Sequence, residues 1–239
     1  MGRRAYEHRD AVGRSRPRRG TRLKLVYVVD VHGRAEAVTA AVSAVGAVDL
    51  LLVGGDITTA GTPDEVERAI ESWRPLAPRV YAVPGNMDSP EIDGRLVDLG
   101  VSLDGRGIVL DEVGVFGVSA APVSPLATPY ELVDDELERR IARGYEAVRD
   151  CRVLVFCPHA PPAGTACDLL QSGEHVGSTV IRSFVERAQP DLVLCGHIHE
   201  ARAVDAIGAS TIVNPGPVQS GHYALGEIDG DVAVRLDGE

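Results

Sequence analysis

Apolar and polar positions follow a regular order along the first hundred residues of the chain. Three short apolar runs predict buried strands: LKLVYVVD, DLLLVGGD and VYAVPGN. Each run is followed by a stretch in which apolar residues recur at helical spacing, at 34–46, 62–73 and 90–99. Strands that alternate with helices predict a sheet with helical crossovers, whose functional residues lie at the carboxyl ends of the strands.

The rest of the chain continues this pattern and then changes to strands alone. The predicted elements are, in chain order, a hairpin at 107–110 and 114–118, an amphipathic helix at 130–149, a strand at 153–157, a helix at 176–188, a strand at 192–195, and short strands near 201–206, 211–213, 222–228 and 231–236. We therefore predict an α/β fold, a four-layer αββα sandwich of two mixed β-sheets flanked by helices.

The balance of charge divides the chain into two parts. Residues 1–22 contain eight arginines and two acidic residues with no apolar period, which predicts a basic, disordered N-terminal arm. Residues 23–239 carry 16 basic and 33 acidic residues, a net charge of −17, and we assign them to one domain. Lys24 is the only lysine. This composition is typical of a halophile with a high-salt cytoplasm, or of a GC-rich genome that favours arginine.

Three observations predict a cytoplasmic location. No apolar run is long enough to span a bilayer. Arg18 and Arg19 precede an apolar run as in a twin-arginine export signal, but that run is short and ends in Asp30 without a small-residue cleavage site. The four cysteines show no CxxC spacing, so we expect reduced thiols packed in the interior.

Polar side chains follow five of the predicted strands, at the point where each strand ends. They supply seven oxygen and nitrogen donors: Asp30, His32, Asp56, Asn86, His159, His197 and His199. Each has an ordinary alternative role, such as a helix cap for Asp30 or a packed turn residue for His159. Loops at one edge of a fold converge in space. Polar residues at five such strand ends therefore favour a common site over separate local roles.

The donor types indicate a metal centre. Two Asp, one Asn and four His without a thiolate suit Mn²⁺, Fe²⁺, Zn²⁺ or Ni²⁺ better than a structural zinc cage. Asp30 and His32 are two positions apart, as are His197 and His199, which points both members of a pair to the same side of an extended segment. Seven donors exceed the needs of one tetrahedral ion and suit two ions about 3.5–4 Å apart that share a carboxylate.

The order of these donors resembles that of one protein family. The chain contains Asp-x-His, Gly-Asp, Gly-Asn-x-Asp, a single His and Gly-His-x-His, and from residue 24 to about 228 it is similar to the calcineurin-like metallophosphoesterases. The stretches HAPPAGTACD, GEHVGS, GHIHE and NPGP more narrowly resemble the archaeal and bacterial predicted phosphoesterases related to cyclic-nucleotide phosphodiesterases. The resemblance implies two divalent ions, Mn²⁺ favoured, one held by Asp30, His32 and His199, the other by Asn86, His159 and His197, with Asp56 bridging them.

The resemblance also implies a phosphoesterase that attacks phosphorus in line, using a metal-bridging hydroxide. Met87 departs from the family pattern, because many members have a histidine there that protonates the leaving oxygen and that a residue in the place of Asp88 orients. A thioether donates no proton, so leaving groups that depart as stable anions are favoured. The narrower resemblance favours a phosphodiesterase. His175 and His222 are candidates to replace this acid or to contact phosphate.

Other functions stay open at this point. A phosphomonoesterase or nucleotide pyrophosphatase would use the same donors, whereas a non-catalytic scaffold of this fold is expected to have lost some of them. The expected partner is a small phosphoester or nucleotide. The acidic domain disfavours nucleic acid, no membrane partner is expected, and a homodimer stays open.

The charge of residues 23–239 leads to a prediction on stability in salt. The net charge of −17 makes the folded protein repel itself, and salt screens this repulsion. The screening length falls from about 10 Å at 0.1 M salt to about 3 Å at 1 M, so the folded protein gains stability as the salt concentration rises. Tm in 2 M KCl should therefore exceed Tm in 0.1 M KCl. Equal values would favour a GC-rich genome as the reason for the missing lysines.

Overall fold

The computed structural model describes residues 22–238, and the arm predicted at 1–22 lies outside them except for Arg22. The helices are α1 (Ala35–Val45), α2 (Pro63–Trp73), α3 (Pro90–Asp98), α4 (Asp134–Glu146) and α5 (Thr179–Ala188). The strands are β1 (Leu23–Val28), β2 (Leu50–Val53), β3 (Val80–Ala82), β4 (Gly107–Leu110), β5 (Val113–Val118), β6 (Ala121–Pro122), β7 (Glu131–Leu132), β8 (Val153–Pro158), β9 (Leu192–Leu194), β10 (Ala203–Ile207), β11 (Ser210–Asn214), β12 (Tyr223–Asp229) and β13 (Asp231–Asp237).

The strands form two large mixed sheets. The first has the order β13-β12-β1-β2-β3, in which β1, β2 and β3 are parallel while β12 and β13 are antiparallel to their neighbours. The second has the order β10-β11-β9-β8-β5-β4, with parallel strands in the middle and an antiparallel strand at each edge. β6 and β7 make a separate two-stranded sheet.

Alternate side chains of the central strands enter different hydrophobic layers. On β1, Tyr27 packs between the two sheets, while its neighbour Val26 packs against the helices of the first half. On β8, Val155 packs between the sheets and Phe156 against the helices of the second half. Because both faces of these strands are buried, their sequences read as continuous apolar runs. Three hydrophobic layers thus separate four layers of secondary structure, which confirms the predicted αββα sandwich.

The carboxyl ends of β1, β2 and β3 meet those of β8 and β9 at one end of the sandwich. Backbone hydrogen bonds join the two sheets there: the N–H of Ala120 donates to the carbonyl of Pro84 at 3.1 Å, and the N–H of Tyr130 donates to the carbonyl of Asn86 at 3.0 Å. The loops that carry the seven predicted donors therefore lie together.

Two predicted helices begin later than expected. The helix predicted at 130–149 spans Asp134–Glu146, because residues before it form β7 and pair with β6. The helix predicted at 176–188 begins after Ser178, whose hydroxyl accepts the backbone N–H of Ile181 as an N-cap. The apolar period did not mark the start of α4, because a buried residue in a short strand fits the same pattern.

The four cysteines are free thiols, and three of them are buried, as expected for packed cysteines. Cys157 lies between the sheets, and Cys167 and Cys195 lie under the helices of the second half. Among residues 22–238, no helix combines the length and apolar character that crossing a membrane requires.

Candidate metal centre

Four of the seven predicted donors have a left-handed backbone. The φ angles are 55° at Asp30, 47° at His32, 46° at Asp56 and 67° at His197. This conformation costs a residue other than glycine about 1–2 kcal/mol, and such strain concentrates at functional sites. Backbone hydrogen bonds hold the loops in place: Asp30 N–H donates to the carbonyl of Gly55 at 3.1 Å, and His32 N–H to that of Asp56 at 2.7 Å.

The first group of donors comprises Asp30, His32, Asp56 and His199, which offer ligand atoms that all lie within 4.8 Å of one another. The Nε2 atoms of His32 and His199 are 3.2 Å apart. His32 Nε2 is 3.7 Å from Asp56 Oδ2, and His199 Nε2 is 3.7 Å from Asp30 Oδ1. These atoms surround one small volume at the ends of β1 and β2.

The second group comprises Asn86, His159 and His197. Asn86 Oδ1 lies 2.9 Å from His159 Nε2 and 2.8 Å from His197 Nδ1. His159 Nε2 is also 3.5 Å from Asp56 Oδ1. The two oxygens of Asp56 therefore face different groups, and the structure brings all seven predicted donors together around this carboxylate. Their roles as ligands stay a prediction.

Several acceptor atoms face one another in these groups. His159 Nδ1 lies 2.8 Å from the carbonyl of Gly54, which can only accept, so a neutral His159 carries its proton on Nδ1. The lone pair on Nε2 then points at the amide oxygen of Asn86. Asp30 Oδ2 is fully buried and has no hydrogen-bond partner among residues 22–238. Facing lone pairs and an unpaired buried carboxylate oxygen fit a divalent cation, which would bind both.

The protonation of this centre shows the cost of burying charge without a cation. Burial raises the pKa of Asp56 to about 7. Burial, followed by the neighbouring His159, lowers the pKa of His197 to about 3. A neutral imidazole is the form that binds metal, and a nearby divalent cation would favour the ionised carboxylate. Both residues therefore suit metal binding better than they suit an empty site.

Asp88 has a structural role in the centre. Its Oδ2 accepts the backbone N–H groups of Gly85 (2.9 Å) and Ile57 (3.0 Å), and its Oδ1 accepts the N–H and hydroxyl of Thr58, both at 2.8 Å. The carboxylate thus ties the loop after β2 to the loop after β3. The two loops come so close that position 85 requires glycine, because a Cβ there would lie 2.1 Å from Asp56 Oδ1. These contacts make Asp88 a positioning residue for the two loops, and the catalytic role predicted for it stays a prediction.

Two further residues position the donors: Thr59, which the sequence does not single out, and Asn214, which belongs to the NPGP stretch. The hydroxyl of Thr59 lies 2.8 Å from His32 Nδ1, which leaves His32 Nε2 directed into the first group. The amide of Asn214 donates to the carbonyl of Ile198, between His197 and His199, at 2.9 Å. A metal-ligating histidine usually forms a hydrogen bond through its second ring nitrogen. The Asp-x-His motif therefore indicates that His32 needs an orienting partner, but it does not say which residue supplies it.

A polar cluster outside the centre holds the segment that contacts Asn86. Arg140 Nη1 donates to Asp104 Oδ2 at 2.6 Å and to the hydroxyl of Tyr130 at 2.7 Å. The hydroxyl of Ser119 donates to Asp104 Oδ1 at 2.7 Å. Because the backbone N–H of Tyr130 binds the carbonyl of Asn86, this cluster fixes the loop after β3 from the side of the second sheet.

His175 and His222, the two predicted replacements for the missing acid, lie in different surroundings. His175 Nδ1 lies 2.8 Å from Asp168 Oδ1, and its side chain is 45% exposed. His222 Nδ1 is buried with no partner among the described residues, and burial, then Arg202, lowers the pKa of this histidine. Within residues 22–238, neither ring forms a hydrogen bond with any of the seven donors.

The fold and the donor set define a metal-dependent hydrolase class, in which an αββα sandwich carries Asp, Asn and His at one end of paired sheets. Residues 23–201 match the family model described as calcineurin-like phosphoesterase, and the chain belongs to that family. Its class of chemistry is therefore phosphoester hydrolysis at a divalent-metal site.

Similar proteins include archaeal and animal chains. The chain is 31% identical over 201 residues to the uncharacterised protein MJ1162 of Methanocaldococcus jannaschii, covering 82% of this chain and 88% of that one. It is 30% identical over 223 residues to UPF0046 protein K07C11.7 of Caenorhabditis elegans, covering 84% and 71%. Among solved structures, TT1561 of Thermus thermophilus has a TM-score of 0.69 at 18% identity, covering 91% and 99%, which shows the fold alone.

The contact between Thr59 and His32 predicts a specific effect of Thr59→Val. Loss of the hydroxyl frees the His32 ring to rotate, so affinity for Mn²⁺ should fall about 10–100-fold by calorimetric titration. Because Thr59 is exposed, the free energy of unfolding of the metal-free protein should change by less than about 0.5 kcal/mol.

Thr39→Val is the matched control, because the Thr39 hydroxyl contacts only the carbonyl of Ala35 in its own helix among the described residues. Mn²⁺ affinity that stays at the wild-type value in Thr59→Val would contradict the orienting role.

Proposed function

We propose that this protein is a phosphodiesterase that binds two divalent metal ions, with Mn²⁺ favoured. The single observation that supports this most is Asp56, whose two carboxylate oxygens face separate groups of donors. In this proposal one ion is held by Asp30, His32 and His199, the other by Asn86, His159 and His197, and Asp56 contacts both.

The charge of the centre supports a diester rather than a monoester. Asp30, Asp56 and Asp88 are each at most 2% exposed, and all three are ionised when cations are bound nearby. Two divalent ions, three carboxylates and the attacking hydroxide leave no net charge. The single negative charge of a phosphodiester therefore adds less uncompensated charge to this buried centre than a monoester dianion does.

The residues of the chain would prepare this centre for in-line displacement. Bound divalent cations would lower the pKa of water and neutralise the phosphoryl oxygens. Gly54 and Thr59 would fix the ring orientation of His159 and His32. Met87 uses its backbone N–H to hold Asp56 Oδ1 at 2.7 Å, and its thioether supplies no proton to a leaving group.

Substrate preference is the test of this function. The Mn²⁺-loaded protein should hydrolyse bis(4-nitrophenyl) phosphate faster than 4-nitrophenyl phosphate, with cyclic nucleotides assayed in parallel. Hydrolysis of monoesters alone would make the protein a phosphomonoesterase, which is the competing function. Release of pyrophosphate from nucleoside triphosphates without diester cleavage would indicate a nucleotide pyrophosphatase.

Shared coordination by Asp56 predicts a coupled loss of both metal sites. Titration of the wild type with Mn²⁺ should give two ions per chain, and Asp56→Asn should weaken both of them. The metal-free variant should be at least as stable as the wild type near pH 7, because it removes a carboxylate whose ionisation is opposed by burial.

Asp98→Asn supplies the control, since Asp98 is an exposed carboxylate at the end of α3. One ion per wild-type chain, or loss of only one ion in Asp56→Asn, would argue against a bridging carboxylate.

The thioether at position 87 predicts a preference for good leaving groups. An alkoxide must leave with its full charge when no acid is present, so aryl phosphodiesters should be cleaved far faster than alkyl ones. Met87→His should raise kcat/KM for alkyl diesters more than for aryl diesters. The usual effect of a positioned acid is about 10²–10⁴, and we expect the lower end, because both oxygens of Asp88 already accept two hydrogen bonds each.

Met87→Leu controls for the change in packing, and all proteins are compared at equal metal content. Equal gains for both substrate types would assign the new histidine to phosphate or metal binding instead. Fast alkyl cleavage by the wild type would mean that another group donates the proton, and His175 is the first candidate.

A further inference from the structure

A cavity of about 690 Å³ adjoins the candidate metal centre on the side of α1 and α2. His32, a member of the first donor group, lines it together with Thr59, which orients His32. Arg68 and Ser72 of α2 line the same cavity, as does the apolar side chain of Ile57. Glu65 also lines the cavity, where its Oε2 accepts the backbone N–H of Thr62. A ligand that reaches His32 can therefore extend into a space that contains a guanidinium, several hydroxyls and one carboxylate that caps α2.

Arg68 is exposed, and within residues 22–238 its guanidinium forms no hydrogen bond or ion pair. The acidic residues of its own helix are engaged elsewhere: Asp64 and Glu67 with Arg95, Glu65 with the N–H of Thr62, and Glu71 with Arg74. Other arginines of the described domain, such as Arg79, also lack a carboxylate partner, so Arg68 is distinguished by its position on the wall of this cavity. The guanidinium of Arg68 can therefore contact a ligand that occupies this cavity.

We propose that this cavity receives the part of the substrate beyond the reacting phosphorus and that Arg68 binds a second phosphate group there. A guanidinium is always charged and matches two phosphate oxygens at once, and threonine and serine hydroxyls can bind the remaining oxygens or a sugar. The inference rests on the proposed function and narrows its substrates to phosphodiesters that carry another phosphate, such as nucleotide derivatives.

Binding of nucleotides tests this subsite without any need for turnover. The probes are thymidine 3′,5′-bisphosphate and thymidine 5′-phosphate, titrated calorimetrically into the Mn²⁺-loaded protein. The wild type should bind the bisphosphate about tenfold more tightly. Arg68→Gln should reduce this ratio to near one.

Arg79→Gln is the matched control. Arg79 is also exposed and likewise has no ion pair among the described residues, but it precedes β3 and so lies at the opposite end of the sheet. This variant changes the net charge by the same amount and should keep the tenfold ratio.

An affinity ratio near one in the wild type, or no binding of either nucleotide, would overturn the subsite. It would also be overturned if Arg68→Gln kept the tenfold ratio, or if both variants lost it equally. Hydrolysis of thymidine 5′-(4-nitrophenyl phosphate) is measured separately. Turnover of this diester with a ratio near one would overturn the subsite alone. A tenfold ratio without diester turnover would support the subsite and contradict the phosphodiesterase.

Discussion

Buried acceptors that face one another are the constraint on which the rest of this structure depends. Asp30 and Asp56 lie at the bottom of the centre with almost no exposure, and the free nitrogens of His32, His159 and His199 point toward them. Facing acceptors repel one another until a cation binds them, and burial of the carboxylate raises the pKa of Asp56. The surrounding loops must therefore hold the donors in place against both electrostatic repulsion and backbone strain.

Both sheets contribute to this restraint. In the first sheet, Asp88 gathers three backbone N–H groups and one hydroxyl from the loops after β2 and β3. From the second sheet, the cluster of Arg140, Asp104 and Tyr130 anchors the segment that binds the backbone of Asn86. A centre restrained from two sides keeps its geometry in the absence of ligand, which lowers the cost of binding metal and substrate.

The selectivity of the centre arises from what surrounds this shared set of donors. A family site with an acid beside the leaving group can cleave many esters, whereas Met87 leaves that oxygen without a proton donor. The cavity beside His32 adds room and a positive charge on another side of the centre. In the proposed function, these two features would narrow the substrates to phosphoesters with a stable leaving group and a second phosphate.

The sequence by itself determined the layers of the fold and the identity of the donors. Apolar runs of four to six residues alternate with helical patterns, and polar residues at the ends of parallel strands converge wherever such a sheet forms. Local sequence did not determine where α4 and α5 begin: Leu132 before α4 is buried in a short strand, whereas Val176 before α5 is exposed and lies ahead of the Ser178 N-cap. Only the tertiary structure decided which side chains support the donors: Thr59 and His32 are 27 residues apart, and Arg140 and Asp104 are 36 apart. Contacts at such separations depend on how two sheets pack, and no local pattern of residues records that packing.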